Sequence, residues 1–344
     1  MARRRVIFVT QQIDPDHPVL AATVAMVRAL AESVEEVTVI ALRAVPGSLP
    51  ENCKVRIIGA RTRPQRGLKY AWALGRSLFP RPVALIAHMC PIYAVLAAPV
   101  CRPAGVPVVL WFTHWKPSRL LRLAEQVSSK VVSVERGSFP LPSDKVIPIG
   151  HGIDLSQFPC QANGNGGTKL RALALGRTSP AKGLDSIVKA VNLVRERGVE
   201  VELQIRGPSE TDEEREHAAY LQQLASEAIR IEPPVPRHRL PEIFADTDVL
   251  VNNTAEGSLD KVVFEACASC LPVLASNPSF VNLLEEELRF DRHDVEAIAR
   301  GLEWLSKLSD DERRELGRDL RRRVEAGHST VTWAQRILEV AERA

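Results

Sequence analysis

Short apolar runs separated by longer mixed stretches recur along the whole chain. Arg5–Thr10, Val37–Leu42 and Val55–Ile58 read as strands, with the loop Gln11–Pro18 and a helix from about Val19 to Glu32 after the first. Val83–His88, Val106–Phe112, Val131–Val134 and Val146–Ile149 continue the strand series, while Gly67–Phe79 and Ile92–Val100 have helical spacing. Gln161–Thr168 (QANGNGGT) is polar and glycine-rich and reads as a hinge. Strands resume at Leu170–Leu175, Val201–Arg206, Ile229–Ile231, Ala245–Asn252 and Pro272–Ala275, followed by helices at Asp294–Leu305, Asp310–Ala326 and Thr332–Ala344. Strands alternating with helices on both sides of a hinge predict two parallel, doubly wound α/β domains. Val83–Cys101 lacks charge for 19 residues, enough to test as a membrane span. His88, Pro91 and Pro99 interrupt it, so a strand and a helix are expected there instead.

Composition adds little beyond a globular chain of two-domain length: 344 residues, 45% hydrophobic and 25% charged. Charge adds more. The net of +3 conceals 20 Lys/Arg against 10 Asp/Glu in residues 1–160, with the remaining 25 basic and 32 acidic residues following. Between Glu51 and Glu125 there are twelve Lys/Arg and no acid, so the first half presents a cationic surface suited to an anionic partner. Within that span Gly67–Phe79 interleaves Tyr70, Trp72 and Phe79 with Lys69 and Arg76, after Arg61, Arg63 and Arg66. Two readings stand: a helix lying on an anionic membrane through residues 54–81, or a helix packed on the sheet with a solvated basic face. The six cysteines show no disulfide framework, and the CxxC of Cys267 and Cys270 has no second pair to complete a zinc site. Apolar core cysteines and a cytoplasmic address are expected. Met1–Arg5 runs straight into a strand, with no secretory leader expected.

Chemistry concentrates in two loops of the second half. Glu256–Val273 (EGSLDKVVFEACASCLPV) is a glycine-containing loop, a helix and a strand, preceded by a buried strand. In such a βαβ unit ligands bind at the carboxyl ends of the strands, and the loop amides with the helix N-terminus offer an anion site. Glu265, two turns into the expected helix among apolar neighbours, is placed to accept vicinal hydroxyls. The second loop, Gly176–Gly183 (GRTSPAKG), follows a strand and opens a helix, and it carries two basic residues, Arg177 and Lys182. The first loop of the chain carries no G-x-G-x-x-G, so no nicotinamide-type fingerprint is present. Asp246-Thr247-Asp248 has the form of a metal-binding D-x-D but precedes a buried strand, and it is not taken as a ligand pair.

The stretch Glu256–Val273 resembles the donor-binding segment of family 4 glycosyltransferases, retaining enzymes of the GT-B fold, written E-x7-E followed by A-x-A-x-G-x-P-V. Glu265-Ala266, Ala268 and Leu271-Pro272-Val273 match, with Glu256-Gly257 at the front. Two departures stand out: eight residues separate Glu256 from Glu265, and Cys270 occupies the closing glycine position. Glu256 bulging into place and Asp260 substituting for it both remain open. GRTSPAKG matches the family's G-R-x(n)-K-G, and Gly150-His151-Gly152-Ile153-Asp154 is similar to its N-G-I-D turn. The resemblance implies two Rossmann-like domains facing across a cleft, with a C-terminal helix crossing back to the first. It makes His114, Arg177, Lys182 and Glu256 catalytic. It assigns the donor to Gly176, Arg177, Lys182, Gly207, Pro233, Gly257, Ser258, Leu259, Asp260 and Glu265. His88 and His151 compete with His114 for the strand-end histidine that faces the sugar.

The expected organisation is residues 1–158 as the acceptor-side domain, 159–168 as linker, 169–327 as the nucleotide-sugar domain and 328–344 as the returning helix. The expected activity is a retaining, metal-independent hexosyl transfer from a UDP- or GDP-sugar, with no cofactor and no nucleic acid partner. The acceptor is unidentified, with a lipid-linked or polysaccharide precursor at the inner face of the cytoplasmic membrane in view. A nucleotide-sugar 2-epimerase of the same fold and a non-catalytic sugar-nucleotide-binding protein are the alternatives.

Overall fold

Strands buried on both faces need helices on both sides, and that requirement shapes both halves of the molecule. A computed structural model describes residues 4–17, 20–160, 169–257 and 259–344. The first unit opens with β1 (Arg5–Ile13), α1 (Ala22–Ser33), β2 (Glu36–Ala44), β3 (Cys53–Ile57), α2 (Arg63–Ser77), β4 (Ala84–His88) and α3 (Pro91–Cys101). It continues through β5 (Val108–Trp111), α4 (Arg119–Val127), β6 (Lys130–Ser133) and β7 (Val146–Pro148). Its seven strands are parallel and ordered β3-β2-β1-β4-β5-β6-β7. Every residue of β4 and β5 is buried. The apolar stretch Val83–Cys101 is divided between β4 and α3, and no helix among the described residues is long and apolar enough to cross a membrane.

The second unit spans Leu155–Ala326. It contains β8 (Leu170–Leu175), α5 (Leu184–Glu196), β9 (Val201–Arg206), α6 (Asp212–Leu224), β10 (Ile229–Glu232), α7 (Leu240–Ala245) and β11 (Val249–Asn252). After these come α8 (Lys261–Ala268), β12 (Val273–Ala275), α9 (Val295–Lys307) and α10 (Asp310–His328), the last ending just past the unit's boundary. The five strands run parallel in the order β10-β9-β8-β11-β12. The chain winds outward from β8 in both directions, so the β8/β11 junction is a topological switch point, where loops diverge and leave a crevice. The closing helix α11 (Thr330–Glu342) belongs with the first unit, which takes in Gly327–Ala344, and it packs on α1. Ile153 and Ser329 form an isolated parallel bridge there. Together these are two parallel-sheet Rossmann-like domains of seven and five strands, with eleven α-helices among the described residues.

Several boundaries differ from the sequence expectation. The first strand runs on to Ile13, through most of the expected loop, because its pairing with β2 continues to Ile13 opposite Ala44. Only Val249–Asn252 of the expected Ala245–Asn252 strand is extended, since Ala245 ends α7. The motif helix starts at Lys261, which puts Glu265 one turn inside it rather than two. The expected hinge at 161–168 and residues 18–19 lie outside the described residues.

The cysteine expectation is corrected. Cys160 and Cys270, 110 residues apart in sequence, form a disulfide, while Cys53, Cys90, Cys101 and Cys267 are free thiols. Closing a chain loop of that length stabilises by roughly 4–5 kcal/mol in the chain-entropy model. A Cys160→Ser variant is therefore expected to unfold at lower urea concentration than the oxidised protein. Unchanged midpoints in urea titrations followed by circular dichroism would contradict this.

Candidate functional site

The loops leaving β8, β9 and β11 converge at the switch point, held by backbone geometry that only particular residues allow. Gly176 has φ +141°, in the range that favours glycine, and Lys182 folds back over it: a Cβ added there would lie 3.1 Å from Lys182 Cε. Gly207, after β9, abuts the Gly176 carbonyl so closely that a Cβ would fall 1.7 Å from that oxygen. Gly183 ends the turn Pro180–Lys182 in a left-handed conformation, φ +54°, and directly starts α5. Its carbonyl accepts from buried Asn253 Nδ2 at 2.9 Å, and Asn253 Oδ1 accepts from the His293 amide at 3.3 Å. Asn253 thus ties the loop after β8 to the loop after β11.

Both candidate cations in this crevice are paired with carboxylates. Lys182 Nζ meets Asp260 Oδ2, which also accepts from Asn252 Nδ2 at 3.0 Å. Arg177 Nη1 lies 3.1 Å from Glu214 Oε1, and Arg177 is more than half exposed. The Glu214 carboxylate accepts from the Glu210 and Thr211 amides at 2.8 and 3.3 Å, at the N-terminus of α6. Those backbone amides, with that of Glu210 foremost and Arg177 assisting, hold its carboxyl below the usual carboxylate range.

Of the two acids left open by the E-x8-E spacing, the structure puts Asp260 on Lys182. Glu256 is exposed in the turn that Gly257, φ +82°, permits. Leu259 and Asp260 are half-buried, and Asp260 is the residue from which α8 starts. Ser258 lies outside the described residues. Pro233 is exposed just beyond β10. Cys270, which stands where the resembled motif has glycine, adopts φ +62°, a conformation that favours glycine, and its carbonyl faces Gly317 of α10.

Glu265 is buried, at 2% exposure, and carries an ion pair with Arg237. Lys261, one turn earlier on α8, sits near both. Its burial, then Arg237, pull its ammonium down to about 8, and Glu265 opposes them. Sequence reasoning missed Arg237 and the wedge Asn253, because neither belongs to a motif and both act through residues far away in sequence. The only available signal was that Arg237 follows the proline-rich corner Glu232–Pro236 at the end of β10.

Asp248, the second acid of the D-x-D, accepts from the Arg171 amide, Nε and Nη2 at 2.8, 3.0 and 2.9 Å. It is a structural counter-ion. Among the described residues no three His, Cys, Asp or Glu side chains gather as a metal site.

The three strand-end histidines belong to the first unit. His88 is buried, stacked between Phe8 and Trp111, with Thr10 Oγ1 at 3.3 Å from its Nδ1. His151 is buried beside Gly152. His114 alone of the three is exposed; it stacks on Trp115 and its Nδ1 accepts from the Lys116 amide at 3.0 Å.

Residues 160–323 match the family described as Glycosyl transferases group 1. Among solved structures, a glycosyltransferase from Rickettsia africae superposes with TM-score 0.74 at 14% identity, covering 100% of this chain and 99% of that one. Sucrose-phosphate synthase from Thermosynechococcus elongatus gives TM-score 0.74 at 15% identity, covering 99% of each. HepE from Anabaena, solved with UDP and glucose, gives 0.71 at 14%, covering 99% of this chain and 100% of that one. No sequence among the curated proteins matches. The fold is GT-B, and the chain carries a glycosyl transferases group 1 domain at residues 160–323, which places it in the glycosyltransferase class of enzymes.

Proposed function

We propose that the protein transfers a hexose from a UDP- or GDP-sugar to an acceptor presented at an anionic membrane surface, with retention at the anomeric carbon and without a metal ion. The observation that carries the donor reading is the pair Lys182–Asp260 at the β8/β11 switch point, beside the first turn of α8. A donor diphosphate would exchange places with the carboxylates now on Lys182 and Arg177, so both cations are already oriented when it arrives. As the sugar–phosphate bond breaks, charge grows on the leaving phosphate, and fixed cations there stabilise the transition state more than the ground state. These two side chains and the loop amides do the work that a divalent cation does elsewhere, which supports metal independence. Same-face displacement, in which the departing diphosphate helps to deprotonate the acceptor, requires no protein nucleophile. UDP is favoured as the nucleotide by the likeness to HepE, which was solved with UDP-glucose.

The deciding experiment is incubation of the purified protein with a panel of UDP- and GDP-sugars in excess EDTA. Slow release of free sugar in its starting anomeric configuration, read by NMR, is the expected result. Isomerisation at C2 would move the protein to the epimerases, and binding alone would make it a non-catalytic sugar-nucleotide protein. A strict manganese or magnesium requirement would remove metal independence.

The acceptor side rests on α2. Leu68, Trp72 and Phe79 are exposed by 74%, 62% and 80%, and Arg61, Arg63, Lys69, Arg76 and Arg81, which lie around them in sequence, are exposed too. Arg76 lies over the Trp72 ring at 5.2 Å. The inner face of the same helix buries Tyr70, Ala73 and Leu74, so the apolar outer residues are surplus to packing. Each basic residue near an anionic bilayer contributes about 1 kcal/mol, and interfacial aromatics add to it. Co-sedimentation with phosphatidylglycerol vesicles is expected at low salt, to be lost at high salt and in a triple Arg61→Glu, Arg63→Glu, Arg76→Glu variant. Failure to bind at low salt would remove the membrane and leave the donor chemistry unaffected.

A further inference from the structure

Arg237 lies outside every motif that built the donor site, yet it is the side chain laid on the buried carboxylate. It opens the short turn Arg237–Arg239 after Pro236. Its Nη2 touches Glu265 Oε1, and its guanidinium covers the Phe158 ring at 5.6 Å. The contact lacks hydrogen-bond alignment: Glu265 Oε1 and Arg237 Nε are both buried without a hydrogen-bond partner. An acceptor and a donor left unsatisfied side by side are each costly, and such pairs call for a ligand that supplies both partners. A sugar hydroxyl does this, because it donates to a carboxylate and accepts from an N–H.

The platform beneath Arg237 is fastened to the helix that carries Glu265. Phe158 packs on Phe244, with ring centroids 6.3 Å apart. Its carbonyl accepts from Arg321 Nη1 at 2.6 Å, and the same Nη1 also reaches the Ala268 carbonyl at the end of α8. Two residues beyond Phe158, Cys160 is bonded to Cys270, two residues past α8. The guanidinium is thus held between an aromatic face and a carboxylate, and the backbone that carries the aromatic ring is itself doubly tethered. A simple surface ion pair needs none of these supports.

We infer that Arg237, resting on Phe158, is a positioning residue for the donor ribose, holding the Glu265 carboxylate in the orientation that receives two vicinal hydroxyls. This rests on the donor reading above and adds to it a determinant of ribonucleotide over deoxyribonucleotide binding. The test is calorimetric titration with UDP, GDP and the 2′-deoxy analogue of whichever binds, alongside thermal melts and steady-state kinetics. The wild-type protein is expected to prefer the ribonucleotide by about tenfold or more, the effect of one hydrogen bond to a charged group. Arg237→Ala should lower ribonucleotide affinity about tenfold and reduce the preference to about twofold, raising donor KM while kcat stays nearly constant. Arg237→Lys should fall between, since it keeps the charge but loses the flat, stacked fork.

An unchanged ribose preference in Arg237→Ala overturns the assignment even if the melting temperature falls, because a merely structural ion pair moves stability alone. Should Arg237→Ala fail to fold, Phe158→Leu leaves both charges in place and must itself lose the ribose preference; if it does not, the assignment is likewise overturned. A wild-type protein that binds neither UDP nor GDP overturns the donor reading and this role together, whereas binding with intact preference in the variants overturns only the role.

Discussion

Replacing Lys182 with alanine is expected to lower turnover by two orders of magnitude or more, about 3 kcal/mol of transition-state stabilisation, while the fold persists. Lys182 is less than a quarter exposed, lies over Gly176 and is oriented by Asp260, so its charge is fixed in position before any ligand binds. Preorganised charge at a leaving group accounts for effects of this size, because nothing has to reorient as the bond breaks. Arg177→Ala should cost less, about tenfold, since that side chain is over half exposed and its partner Glu214 stays well satisfied by two backbone amides. Steady-state rates with the donor identified by the panel, and circular dichroism melts of both variants, provide the check. Near-wild-type turnover in Lys182→Ala would remove the diphosphate from this crevice.

The second large effect is expected from Gly207→Ala. This glycine does not have a positive φ, so the demand is for space alone. An added Cβ would meet the Gly176 carbonyl oxygen at 1.7 Å and its carbon at 2.5 Å, both backbone atoms with no rotamer to yield. The loops after β8 and β9 must then separate, and Gly176 carries the Lys182 stack with it. Overpacking of this kind costs about 3 kcal/mol or more. A lower denaturation midpoint and a loss of donor binding are therefore expected together. Gly75→Ala is the control: it lies in α2 with nothing within 4 Å of its would-be Cβ, and helix propensity favours alanine there by up to about 1 kcal/mol. Equal midpoints for Gly207→Ala and the wild type would mean the two loops are not held as described.

Much of the architecture was legible because local pattern and buried environment coincide in parallel sheets. β8 and β9 were read from sequence with the bounds they have, as apolar runs between turn residues. The crevice was legible for the same reason: glycines at fixed offsets between a strand and a helix serve a backbone that must turn sharply. Errors arose where a neighbouring element settles the outcome. Ile13 is extended because β2 offers a partner up to Ala44, although its own surroundings of Gln11, Gln12 and Asp14 suggest a loop. The helix begins at Lys261 because Asp260 is held by Lys182 from the loop after β8 and by Asn252 at the end of β11.

The sequence by itself determined the two doubly wound domains and the cationic first half, since these follow from residue type and short spacing, and it singled out Arg177, Lys182, Asp260 and Glu265 as candidates. Only the tertiary structure paired Asp260 with Lys182 while leaving Glu256 exposed, exposed His114 while burying His88 and His151, joined Cys160 to Cys270, and set Arg237 on Glu265. Each of those rests on packing or pairing between positions distant in sequence. Such pairings depend on which backbones pack together, and no periodicity within a single stretch encodes them.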